Sequence, residues 1–101
     1  MNEVMGIAWF KDDDTYRKAL SVFCDPENMP ASFDEWKAIM ERQCELIRYS
    51  GDIPIRADID PESFAIWCAS RGLLANSEGR IAFAKHAEIE YRKTGKGTVI
   101  E

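Results

Sequence analysis

Two acidic clusters are the most conspicuous chemical groups of this chain: Asp12-Asp13-Asp14, and Asp58 with Asp60, each directly following a stretch of strand character. Hard divalent cations such as Mg²⁺ take oxygen ligands that converge from several directions, so a carboxylate-based metal site or hydrolase would need both clusters on one side of the fold. The Asp12 to Asp14 triplet lacks the alternate-residue spacing, the glycine and the distal glutamate of an EF-hand loop. The same aspartates stand where helix caps belong, and capping in a charged turn is the reading that the spacing favours.

The nucleophiles are sparse. His86 is the sole histidine, and helical projection places it away from the Phe83/Ala87/Tyr91 stripe, toward solvent beside Lys85 and Glu90. A Cys–His dyad would need an accessible thiol beside it, whereas Cys44 and Cys68 sit close to apolar stripes and read as buried; Cys24, at the end of the first helix, is less determined. Trp9, Trp36 and Trp67 could stack on bases or anchor an interface. Trp36 and Trp67 fall within core patterns, while Trp9, at a strand end, is balanced between core and surface. The sequence contains no Gly-rich phosphate loop, GxSxG elbow, HExxH or zinc-ligand quartet, so it implies no catalytic residue, no metal ligand and no cofactor.

Charge narrows the partners. The chain carries a net −5, and residues 1–76 hold 8 basic against 14 acidic side chains. A basic surface is needed to release counterions from nucleic acid, which disfavours that partner. A C-terminal strip of Arg80, Lys85, Arg92, Lys93 and Lys96 is the one place nucleic acid could bind, but Glu78, Glu88 and Glu90 interrupt it.

A chain of 101 residues, 46 % hydrophobic and 31 % charged, has material for one compact domain across residues 1–101 and no room for a second. The longest unbroken apolar run, Phe64 to Ala69, is too short to cross a bilayer, and no signal-type segment opens the chain. Three widely spaced cysteines, an odd number, suit reduced thiols, so the expected location is cytoplasmic.

The elements follow from periodicity. Val4 to Phe10 reads as a buried strand, and Ile53 to Ile59 as a second, with Pro54 marking a sheet edge. Tyr16, Leu20 and Phe23 define a first helix; Asp25 to Pro30 is a loop with two prolines. Ser32 and Glu35 have the spacing of a capping box, opening a helix that lines up Phe33, Trp36, Met40, Cys44 and Ile47. Asp60, Pro61 and Glu62 open a third helix, packing Phe64, Trp67 and Cys68, and Gly72 closes it. Ser77 to Lys93 forms the last helix, which leaves an ordered core over about 4–93 and a flexible tail at 94–101.

The order β-α-α-β-α-α defines an α+β domain, two short strands covered by about four helices. Each half closes on a Tyr/Arg-rich helix end and a glycine, Arg48-Tyr49-Ser50-Gly51 and Tyr91 to Gly95, the pattern of a degenerate internal duplication. If each helix reverses the chain, the strands pair antiparallel and the two carboxylate clusters fall at opposite ends. The segments Gly6-Ile7-Ala8-Trp9-Phe10, Phe33-Asp34-Glu35-Trp36 and Asp58 to Cys68 with Arg71-Gly72 resemble a group of small uncharacterised bacterial proteins. That resemblance implies a bacterial or mobile-element origin and a free-standing domain, and it transfers no functional residue.

The expected function is a non-enzymatic interaction module that binds another protein or a second copy of itself and not a membrane. Its candidate contact residues are Trp9, Met29, Leu73 and Leu74.

Overall fold

A computed structural model describes residues 3–101. Strand β1 (Val4–Trp9) leads into α1 (Asp13–Val22), a 3₁₀ turn at Pro26–Asn28, α2 (Phe33–Tyr49), β2 (Ile53–Asp58), α3 (Pro61–Ser70) and α4 (Ser77–Thr94). The order is the expected one, and the helix starts are set by side-chain caps. Asp12, Ser32, Asp60 and Asn76 each accept the N–H three residues on, from Thr15, Glu35, Ser63 and Gly79. Gly72 and Gly95 take the left-handed exits of α3 and α4, at φ of 69° and 72°.

The strand direction corrects the expectation. β1 and β2 pair parallel, with Val4 opposite Ile53 and Trp9 opposite Asp58. Counting one reversal per helix fails because α1 packs on α3 and α2 instead of running back along the sheet. The 17 residues of α2, roughly 26 Å of helix, return the chain alone. Its end delivers Asp52 beside the start of β1, where the Asp52 carboxylate accepts the Glu3 N–H and Ile53 donates to the Glu3 carbonyl.

Two strands are stable here because both faces are covered. Register puts Val4, Gly6 and Ala8 on one face with Ile53, Ile55 and Ala57; α4 packs there, so closely that a Cβ on Gly6 would lie 2.1 Å from the Ala84 carbonyl oxygen. Beyond the strand ends, Phe10, Tyr16, Phe23, Trp36, Ile59, Phe64 and Cys68 form one buried cluster with edge-to-face aromatic pairs. Truncating Phe64 there would cost about 3–5 kcal/mol.

The tail also departs from expectation. Residues 98–100 dock on the outer edge of β2: Arg56 donates to the Thr98 carbonyl, Ile100 donates to the Pro54 carbonyl, and Ile100 is 8 % exposed. Pro54 fits this edge because only its carbonyl is needed.

Candidate functional site

Parallel pairing brings both carboxylate clusters to the same end of the sheet, contrary to the separation expected. The chemistry there is nevertheless committed. Asp12 caps α1, Asp60 caps α3 and also accepts the Ser63 hydroxyl, and Asp58 takes two guanidinium bonds from Arg56 at 3.0 and 2.8 Å. Hydrogen bonds from Thr15 and Ser63 hold the Asp12 and Asp60 carboxyls below the usual carboxylate range. A small crevice of about 230 Å³ joins Asp58 and Asp60 to Lys11, Thr15 and Arg56, and Asp12 to Asp14 lie outside it. Among the described residues no three His, Cys, Asp or Glu side chains converge as a metal site would require.

The other groups considered for chemistry are packed. His86 is half-buried, its ring 5.7 Å from that of Trp67, and does not point freely to solvent. Burial raises the Cys44 and Cys68 thiols above their ordinary range, and it raises the buried Tyr16 phenol likewise, whose hydroxyl donates to the Pro30 carbonyl. Each shifted group moves away from neutrality, the reverse of what general acid–base work needs. The basic strip is thinned: Arg80 is buried against Asp25 with both guanidinium arms at 2.9 Å, and Lys85 pairs with Glu88.

A further concavity lies elsewhere, along β1. In a parallel ladder, alternate residues turn both backbone groups toward the neighbouring strand and the others turn both away. The bonds to the Glu3 and Trp9 carbonyls fix the parity, so Met5, Ile7 and Trp9 face β2 while Val4, Gly6 and Ala8 face outward. Gly6 gives its outward N–H to Glu88 Oε1 at 2.9 Å. Among the described residues, nothing bonds the Gly6 carbonyl or either backbone group of Ala8. These groups lie on the floor of an open groove of about 540 Å³.

The walls of this groove come from two helices on opposite faces of the sheet. Trp36, Ile39 and Met40 of α2 form one, and Ser77, Arg80, Ile81 and Ala84 of α4 the other, with Asn28, Met29 and Pro30 closing an end. Ile39 and Ile81 are 47 % and 70 % exposed. The sequence held a signal for them: both are isoleucines lying off the buried stripe of their helix.

Of the residues expected to make contacts, Met29 lines this groove. Trp9 is half-buried, 5.0 Å from Trp36 and capped by the Arg56 guanidinium. Leu73 packs on the core, and Leu74 is 67 % exposed in the turn before α4. Trp36 is buried as expected, whereas Trp67 is half-buried beneath the Arg71 guanidinium at 4.1 Å.

No protein-family model matches the chain, and searches of curated proteins and of solved structures find no match. No helix among the described residues is long and apolar enough to cross a membrane.

Proposed function

We propose that this chain is a non-enzymatic protein-interaction module whose contact surface is the groove between β1, α2 and α4. The observation that carries the reading is the pair of exposed isoleucines, Ile39 and Ile81, on facing walls of an apolar groove floored by backbone. Exposed apolar surface of this kind costs free energy unless a partner covers it, and scattered single residues would not share one concavity. The partner is another protein or a second copy of the chain. Three free cysteines, two of them buried, support a reducing, cytoplasmic setting, and the resemblance to small bacterial proteins keeps a bacterial origin as part of the reading.

Affinity capture with the tagged chain tests it, with Ile39→Asp and Ile81→Asp run beside the wild type. A partner retained by the wild type and lost with both variants is the expected result. Identical retention by all three chains would remove the groove from the reading.

A further inference from the structure

We infer that the groove takes an extended peptide segment of a partner protein as a third strand on β1, with an apolar core and a basic flank. This rests on the reading of the groove as the interaction site and deepens it.

Backbone chemistry selects the extended form. A helix satisfies its own N–H and C=O groups and would leave the Gly6 carbonyl and the Ala8 N–H and carbonyl unpaired. A strand at about 4.8 Å supplies a donor and an acceptor at the matching spacing. The two edges of the sheet are treated differently by the chain itself. β2 has its outer edge bonded by Thr98 and Ile100, while the middle of β1 is left open. An inserted strand alternates its side chains between α2 and α4, and both walls are apolar at Ile39 and Ile81, so a short uninterrupted apolar run fits better than an alternating one.

The same walls argue against a second folded copy. Ile39 and Ile81 stand on opposite sides of a β1 edge that forms the groove floor, so two such edges cannot approach to strand-pairing distance before the helices collide. A single peptide chain is slim enough. Charge selects its flank: Glu88 is already taken by Lys85 and the Gly6 N–H, but the chain as a whole carries −5, which favours Lys or Arg over Asp or Glu beside the apolar run.

The test uses the full ¹⁵N-labelled chain and a fluorescent peptide of sequence Lys-Lys-Val-Ile-Val-Ile-Val, together with two copies N-methylated on alternate amides. In the free chain the Ala8 amide should exchange at least about tenfold faster than that of Ile7, and peptide should slow it by a similar factor. One N-methylated register should bind about tenfold more weakly than the other, and Ile39→Asp or Ile81→Asp should lose binding while the far-ultraviolet dichroism is unchanged. Weakening in about 0.5 M salt supports the basic flank. An Ala8 amide already as protected as Ile7 overturns the open edge. Equal binding by both N-methylated registers, or no peptide binding while Ile81→Asp still abolishes partner capture, overturns strand addition and leaves the interaction module standing. A dimer in light scattering that Ile81→Asp dissolves overturns the choice of occupant.

Discussion

Arg80 donates from both guanidinium arms to the two carboxylate oxygens of Asp25, each at 2.9 Å, across 55 residues of chain. The Asp25 carboxylate also accepts the Ser77 N–H and the Asn28 amide, and the Arg80 guanidinium lies 4.7 Å over the Phe23 ring. One ion pair thus ties the loop that closes the groove to the first turn of the helix that walls it. A bidentate pair this buried is fixed in geometry, unlike the exposed Arg17–Asp13 and Lys18–Asp14 pairs.

Acid should loosen this tie. The Arg80 guanidinium lowers the Asp25 pKa from 3.8 to about 2, so its stabilisation is complete above 3.8 and is lost as pH falls through 2. That difference is on the order of 2 kcal/mol. Urea melts at pH 5, 3 and 2 should show the wild type losing this amount relative to Asp25→Asn, which has no carboxyl to titrate. Parallel pH profiles for the two chains would contradict it.

Breaking one partner should cost more than removing both. Arg80→Met leaves a buried carboxylate unpaired, a loss of about 3–5 kcal/mol, whereas the double variant Asp25→Asn with Arg80→Met should lose less than the sum of the singles. A double-mutant cycle by urea denaturation measures the coupling. An additive cycle would mean that the pair is incidental.

Much of the fold is legible in the residues, and the reasons are local. Asp60-Pro61-Glu62 and Ser32 to Glu35 carry their caps within four residues, so the helix starts could be read directly. Strand direction could not, because it depends on whether α1 lies along the sheet or across its end, and that is decided by Tyr16, Ala19 and Phe23 meeting Phe64 and Trp36 at long range. Docking of the tail on β2 was hidden for the same reason: Thr98-Val99-Ile100 is too short to declare itself a strand. The groove is legible only in part, since Ile39 and Ile81 are visible as off-stripe apolar residues but their confrontation across β1 is a product of the parallel topology.

Glycine at position 6 should be required for packing. A Cβ there would meet the Ala84 carbonyl oxygen at 2.1 Å and its carbon at 2.9 Å, both backbone atoms of α4 that cannot rotate away. Gly6→Ala should therefore displace α4 and destabilise the chain by about 2 kcal/mol or more. Gly72→Ala is the control: the space around it is open, and only its φ of 69° opposes the substitution, at about 1–2 kcal/mol. Thermal melts measure both losses and peptide binding separates the variants, because displacement of α4 should also weaken binding in the groove while Gly72→Ala should not. Equal effects on binding would argue against close α4 contact as the cause.

Removal of residues 96–101 tests whether the tail is structural. It would take away the Thr98 acceptor of the Arg56 N–H, the Ile100 donor to the Pro54 carbonyl, and the Ile100 carbonyl that accepts from Arg48 Nη1 at 2.9 Å. It would also expose the surface that Ile100 covers, for a combined loss of about 2–4 kcal/mol. The consequence beyond stability is topological. With its tail gone, β2 offers an uncovered edge at Pro54 and Arg56, where the β2 edges of two copies can pair. The shortened chain should melt earlier in urea, and light scattering should show association rising with concentration. Ile100→Asp, which keeps the tail backbone but cannot bury its side chain, should reproduce both effects. If truncation left the urea midpoint unchanged and the chain monomeric, the tail would not be the cover of β2, and the contrast between a closed and an open edge that singles out β1 would be lost.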